Sequence, residues 1–105
     1  MHLRNPLAAL VLAGLAAGTA LAQDVAALNL RSLAATCAAC HGTDGRPVSG
    51  SALAPLAGMP REAMLAQFKA FKDGTRPATV MHQLAKGYSD QQVEAMATYF
   101  SNLKR

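Results

Sequence analysis

The stretch Cys37-Ala38-Ala39-Cys40-His41 contains the only two cysteines of a 105-residue chain. Two thiols separated by two residues and followed directly by an imidazole form the attachment signature of c-type haem. In that signature the cysteines bond covalently to the two haem vinyl groups, and the histidine ligates the iron. On a helical turn, spacings of three and four residues bring the three side chains to one face. The stretch therefore predicts an attachment site for one covalently bound haem.

Other sites use the same cysteine spacing: disulfides, zinc sites and thioredoxin-like redox pairs. A tetrahedral zinc site needs four ligands, and apart from His41 the sequence has only two histidines, His2 and His82. A thioredoxin-like pair lies in strand-helix-strand surroundings, whereas the neighbouring residues have helical and loop patterns without an alternating run. Haem attachment is therefore the favoured interpretation.

Residues 1–22 have the pattern of a signal peptide. A short basic start precedes an apolar run over residues 7–17, and Ala20 and Ala22 fit the A-x-A cleavage pattern. The alternative is an uncleaved membrane anchor, but the apolar run is shorter than the roughly 20 residues that a span requires. We therefore expect cleavage after Ala22, a periplasmic location, and a single domain over residues 23–105.

The expected mature chain is short and has a small positive charge. Removing 22 of the 105 residues leaves 83. A chain of this length buries little apolar surface and usually needs a disulfide, a metal or a bound cofactor to be stable. The haem would be that stabilising group, and its attachment leaves no cysteine for a disulfide. The formal charge of +4 becomes +3 when Arg4 is removed with the signal peptide. The chain has no basic run and no aromatic-basic interleaving, so nucleic-acid binding receives no support.

Hydrophobic periodicity predicts an all-α fold with about three main helices. They are expected over about residues 24–39, over residues 61–72, and from a capping box at residues 89–92 to the end of the chain. Gly42 is expected to take the left-handed conformation where the first helix ends. The intervening segments, residues 46–60 and 75–88, are rich in Gly, Pro and Ser or lack periodicity, and are predicted as loops.

The first loop follows the haem histidine closely. A metal-bound imidazole usually donates its other ring N–H to a carbonyl or carboxylate, which fixes its tautomer and orientation. We expect the carbonyl of Ala54 or of Pro55 to accept this hydrogen bond from His41.

Together these motifs resemble those of class I c-type cytochromes. The resemblance is carried by residues 37–45 (CAACHGTDG), 55–58 (PLAG), 71–77 (FKDGTRP) with Met81, 86–90 (KGYSD) and 97–100 (ATYF). It covers essentially the whole expected mature chain. More narrowly, the chain resembles the cytochrome subunit of flavocytochrome c sulfide dehydrogenase and related single-haem cytochromes.

The resemblance implies a few helices wrapped round one haem c, with the first and last helices crossing, and with His41 and a loop methionine as axial ligands. It implies electron transfer without chemical alteration of a substrate. The expected donor is a sulfide-oxidising flavoprotein or a similar periplasmic protein, and the expected acceptor is a downstream oxidase or cytochrome. A free carrier remains an alternative to a bound subunit, since the chain has one attachment motif where some such subunits have two. The alternative function is an open-site haem protein that binds a gas or peroxide.

Among the methionines, Met81 is the expected second axial ligand. Met64 and Met96 lie on the apolar stripes of predicted helices, where a thioether is ordinary core filling. Met59 is a rival, but it lies near the side of the haem histidine. His82 is the stronger rival; because adjacent residues of an extended chain point to opposite sides, only one of Met81 and His82 is expected to face the iron. A thioether raises the reduction potential, as an electron acceptor needs.

The mature protein should begin at or near Gln23 and carry one covalently bound haem. An intact-mass measurement of the purified protein checks both points, since the expected mass is that of residues 23–105 plus one haem. A mass without added haem, or haem that acidified acetone extracts, would contradict the expectation.

Overall fold

A computed structural model describes the backbone of residues 6–105, together with the side chains of Thr19 and residues 21–105. Its helices are α1 (Pro6–Ala35), α2 (Ala38–His41), α3 (Arg61–Asp73), α4 (Met81–Leu84) and α5 (Asp90–Ser101), with 3-10 turns at Thr43–Gly45 and Ala85–Gly87. The described part of the chain contains no strand. The predicted all-α class is therefore confirmed, with three long helices and two short ones among the described residues.

The start of α1 differs from the prediction. The helix begins at Pro6 instead of near residue 24, so the predicted cleavage point after Ala22 lies within it. Most of the predicted signal peptide, residues 1–22, lies outside the residues whose side chains are described. Within the described residues, no helix combines the length and the hydropathy that crossing a membrane requires.

The end of α1 also differs, because the chain turns before the first cysteine. The helix was predicted to continue to Ala39, but it ends at Ala35. The amides of Thr36 and Cys37 each donate to the carbonyl three residues earlier, at 3.2 and 3.1 Å, which tightens the turn beyond α-helical geometry. The Thr36 hydroxyl donates to the Leu33 carbonyl at 2.7 Å and reinforces the turn. Cys37 therefore lies at the corner between α1 and α2.

Helices α3 and α5 begin where the sequence predicts them, but α5 ends at Ser101 and does not continue to the end of the chain. Gly74 ends α3 in the left-handed conformation, with φ 77° and ψ 7°. At the start of α5 the Ser89 hydroxyl accepts from the Gln92 amide at 3.2 Å, and the Gln92 side chain accepts from the Ser89 amide at 2.9 Å. This capping box satisfies amides that the first turn of a helix leaves without partners.

The second predicted loop, residues 75–88, is more ordered than expected. It contains α4 and the second 3-10 turn, because the Val80 carbonyl accepts from the amides of Gln83 and Leu84 at 2.9 and 3.1 Å. Met81 and His82 are thus successive helical residues and do not lie in extended chain. Helical neighbours point about 100° apart, so the expectation that only one of the two faces a common site is retained.

The core lies where α5 packs against both α1 and α3. Its main buried side chains come from these three helices: Ala34, Met64, Phe68, Val93, Met96, Ala97 and Phe100. Small residues on α1 and α5 allow the two helices to approach closely, and the expected contact between the first and last helices is present. Beside this core the Tyr99 hydroxyl donates to the Asp44 carboxylate at 3.0 Å, which ties α5 to the turn after α2. Burial, helped by Asp44, raises the pKa of Tyr99.

The conformation of Gly42 explains how the chain leaves α2. It was expected to be left-handed, but it combines φ 78° with ψ 163°, a region that is essentially open to glycine alone. A Cβ built at this position would lie 2.0 Å from the Arg46 carbonyl oxygen. Both the backbone angles and the close approach of another peptide therefore require glycine here.

Gly42→Ala should destabilise the holoprotein by about 3 kcal/mol or more, since backbone strain of about 1–3 kcal/mol adds to the clash with Arg46. Gly74→Ala is the matched control. Gly74 also has positive φ, but nothing lies within 4 Å of its Cβ position, so only about 1–2 kcal/mol should be lost. Urea unfolding checks both values, and equal losses would contradict the role assigned to the Arg46 contact.

Candidate haem site

A cleft opens between the two loops and the four helices α2, α3, α4 and α5. The empty space within it is about 800 Å³ when the open solvent at its mouth is included. Its wall is formed by Thr36, Cys37, Cys40, His41, Leu53, Leu56, Met64, Phe68, Val80, Met81, Leu84, Tyr88, Met96 and Phe100. None of these side chains is a carboxylate, an ammonium or a guanidinium. The cleft therefore suits a largely apolar ligand.

The mouth of the cleft exposes apolar side chains. Leu53, Val80 and Leu84 lie on its wall and are 46%, 54% and 49% exposed. Grouped exposure of this kind marks a surface that a ligand or a partner covers. It supports the interpretation of the cleft as a cofactor site.

Both cysteines lie on the wall of this cleft, and both are free thiols. Cys37 is half-buried at the corner before α2, and burial raises the pKa of its thiol. The Cys37 thiol is therefore neutral at pH 7, since its ordinary pKa already lies above that value. Cys40 is more exposed and lies on α2 itself.

His41 is the last residue of α2, and its ring reaches both the cleft and the first loop. Its Nδ1 lies 2.7 Å from the carbonyl oxygen of Ala54. A carbonyl can only accept, so Nδ1 carries the proton, and the lone pair of Nε2 is left for a metal. The structure thus confirms the expected carbonyl and selects Ala54 over Pro55.

The loop that supplies this carbonyl is fastened to the turn after α2. The amides of Leu56 and Ala57 both donate to the Gly45 carbonyl, at 2.8 and 3.1 Å. The Leu53 amide donates to the Ser51 hydroxyl at 3.1 Å on the other side of Ala54. Hydrogen bonds on both sides thus hold the position of the Ala54 carbonyl.

Met81 lies on the same cleft wall, at the start of α4. Its two predicted rivals, Met59 and His82, do not line the cleft, although Nδ1 of His82 is buried without a hydrogen-bond partner among the described residues. Met64 and Met96 do line it, but they are 2% and 0% exposed and belong to the core between α3 and α5. The predicted thiols, imidazole and thioether therefore meet in one cleft.

Thr36 and Tyr88 lie on the wall, and neither had a predicted role at the site. Tyr88 belongs to the KGYSD motif of the resemblance, but its contact with Thr36 joins positions 52 residues apart. No local pattern identifies a hydroxyl pair at that separation.

The cleft passes the chemical test for haem. Its wall is apolar, two thiols lie on it at the attachment spacing, and an imidazole and a thioether face it. Cys37 and Cys40 would hold the group covalently, and Nε2 of His41 is free to bind iron. Met81 offers a second, softer ligand.

Comparisons with known proteins agree with this chemistry. The chain is similar to the thiosulfate dehydrogenase electron acceptor of Thiomonas intermedia, with 44% identity over 68% of this chain and 33% of that protein. It is similar to the cytochrome subunit of sulfide dehydrogenase of Chlorobaculum tepidum, with 40% identity over 70% of this chain and 64% of that protein. It is also similar to cytochrome c-554(548) of Halomonas halodenitrificans, with 38% identity over 64% of this chain and 83% of that protein.

The chain spans about a third of the first of these relatives and somewhat under two thirds of the second. The model of the family described as cytochrome c, whose members carry covalently bound haem c, matches residues 30–104. That range includes the attachment motif, the cleft and α5. By this match the chain belongs to the cytochrome c family.

Proposed function

We propose that this chain is an electron carrier with one haem c, attached through Cys37 and Cys40 and ligated by His41 and Met81. The observation that carries the proposal is the single uncharged cleft in which these four side chains meet. When bound there, the haem iron would alternate between its ferrous and ferric states. The match to the cytochrome c family favours electron transfer over chemical conversion of a substrate.

The residues of the cleft have separable tasks. Cys37 and Cys40 hold the group in place, and the hydrogen bond from Nδ1 of His41 to the Ala54 carbonyl orients the imidazole and increases its basicity as a ligand. The buried side chains Met64, Phe68 and Phe100 exclude water from the inner wall. Burial and axial ligation together are the means by which a protein sets a haem potential.

Met81 is supported as the second ligand by position and by chemistry. It is partly exposed, at the first position of a short helix, so its thioether is not committed to packing between long helices. Met64 and Met96 are fully buried on α3 and α5, where withdrawal toward iron would open a cavity in the core. A thioether ligand stabilises ferrous iron, which suits a protein that receives electrons.

The electron donor is proposed to be a dehydrogenase that oxidises a reduced sulfur compound. The names of two relatives, one an electron acceptor of thiosulfate dehydrogenase and the other a subunit of sulfide dehydrogenase, support this class. A sulfide-oxidising flavoprotein is the specific candidate, with a downstream oxidase or cytochrome as acceptor. Co-purification with a flavoprotein would identify a bound subunit, and isolation of the active protein alone would identify a free carrier.

The location is proposed from the N-terminal pattern. Residues 1–22 would direct export and be removed, and residues 23–105 would form a periplasmic cytochrome domain. Attachment of haem to two free thiols is consistent with a chain that has no further cysteines to compete for it.

Met81→Ala should abolish the sulfur-to-iron charge-transfer band of the ferric protein and lower its reduction potential. The loss of a thioether removes the ligand that stabilises ferrous iron, and axial ligands are the strongest influence within a range of about 0.8 V among haem proteins. Optical spectroscopy and potentiometry of the purified holoprotein make the measurement.

The matched control is His82→Ala, which should leave both the band and the potential nearly unchanged. The opposite pattern, with His82→Ala changing both and Met81→Ala neither, would assign the position to His82. A five-coordinate ferrous spectrum in the unaltered protein would favour the alternative function, an open site that binds a gas or peroxide.

The His41 ring should keep one tautomer in the holoprotein. Because Nδ1 donates to the Ala54 carbonyl, we expect a slowly exchanging Nδ1–H resonance in the NMR spectrum of the reduced protein. Rapid exchange of that proton with water would contradict an orienting role for Ala54.

A further inference from the structure

Tyr88 connects two segments that are distant in sequence. Its hydroxyl oxygen lies 2.7 Å from the hydroxyl oxygen of Thr36. Thr36 directly precedes Cys37, where the haem is attached, and Tyr88 follows the continuous helical segment formed by α4 and the turn Ala85–Gly87. The hydrogen bond thus joins the haem-attaching segment to the segment that begins with Met81.

The direction of this hydrogen bond can be assigned. The Thr36 hydroxyl has one proton, which it donates to the Leu33 carbonyl at 2.7 Å. Tyr88 must therefore donate to Thr36. The result is a chain of two hydrogen bonds that ends on the last full turn of α1, and such chains strengthen each member.

Tyr88 is also held on its other sides. The Lys72 ammonium donates to the Tyr88 carbonyl at 2.7 Å and to the Asp90 carboxylate at 3.0 Å, and its side chain is only 24% exposed. The Tyr88 ring meets the Phe68 ring edge to face, with centroids 6.2 Å apart. Two contacts to α3 therefore fix the residue, and the hydroxyl adds the connection to the turn after α1.

The segment between Met81 and Tyr88 transmits this restraint. It is helical throughout, and Ala85 at its centre is completely buried. Met81 cannot swing out of the cleft as an isolated side chain on a slack loop. A large outward movement of its backbone would require the far end of the segment to be released as well.

We propose that the hydroxyl pair of Tyr88 and Thr36 is a positioning clasp that keeps the Met81 segment closed over the cleft and so limits displacement of the thioether by an outside ligand. This inference rests on the proposed ligation by Met81. It adds that Tyr88 and Thr36 act on the iron site through Met81, without touching the iron.

The test is a titration of the ferric holoprotein with imidazole, followed by loss of the sulfur-to-iron charge-transfer band. Tyr88→Phe and Thr36→Val each remove one partner of the clasp and should each strengthen imidazole binding about two- to fivefold, the range expected for one solvent-accessible hydrogen bond. The double variant should bind imidazole no more tightly than the tighter of the two single variants, because both remove the same interaction.

Tyr99→Phe is the matched control. It removes a phenolic hydroxyl of comparable setting, bonded to Asp44 at 3.0 Å, but it does not restrain the Met81 segment. Urea unfolding of all variants should show similar losses of stability for Tyr88→Phe and Tyr99→Phe. Of these two tyrosine variants, only Tyr88→Phe should change the imidazole affinity.

Three results would overturn the clasp. These are an unchanged imidazole affinity in Tyr88→Phe, an equal change in Tyr99→Phe, or a double variant whose effect is the product of the single ones. Absence of the charge-transfer band in the unaltered protein would overturn the proposed ligation itself. That outcome is distinguishable, because it is seen before any variant is made.

Discussion

The apolar core of this protein is also the wall of its cleft. Met64, Phe68, Met96 and Phe100 hold α3 against α5, and the same side chains face the space in which we place the haem. A chain of this size buries little apolar surface by itself. At the mouth of the cleft Leu53, Val80 and Leu84 are about half exposed. A ligand that covers these side chains would add to the buried apolar surface and so stabilise the fold.

The segments that carry the proposed ligands are short, and their order comes from elsewhere. Helices α2 and α4 have four residues each, too few for a helix to be stable in isolation. Tertiary contacts hold them: the Gly45 carbonyl fastens the first loop, and Lys72 fastens the second through Tyr88. The long helices are fixed by their packing, and a few hydrogen bonds hold the two loops of the site in place against them.

Local signals predicted the parts of the fold that local interactions determine. The capping box at Ser89 defines the start of α5, and it was predicted because its partners lie within a few residues. The attachment motif and the Ala54 carbonyl were predicted because haem chemistry constrains residue types and spacing.

Features that depend on distant partners could not be predicted in the same way. The apolar periodicity continues past Ala35 and predicts helix there, but α1 ends before Cys37. At this break the Thr36 hydroxyl contacts the hydroxyl of Tyr88, 52 residues away. Gly42 has its partner nearby, the Arg46 carbonyl four residues on, but no residue pattern distinguishes its ψ of 163° from the left-handed conformation that was expected. Short-range patterns also gave no indication that α1 begins at Pro6 or that the second loop contains α4.

The bond from His41 to Ala54 has a consequence for how this protein can change in sequence. The orienting atom belongs to the main chain, so a substitution at position 54 leaves it in place, provided the loop keeps its path. Control of the imidazole lies instead with Gly45, where an added Cβ would come within 2.7 Å of the Leu56 side chain and 2.9 Å of the Ala57 amide. The orientation of the proposed iron ligand is thereby independent of the side chain at position 54. Position 54 can therefore accept other residues as long as the loop keeps its path. Gly45, nine positions earlier, cannot gain a side chain without a clash.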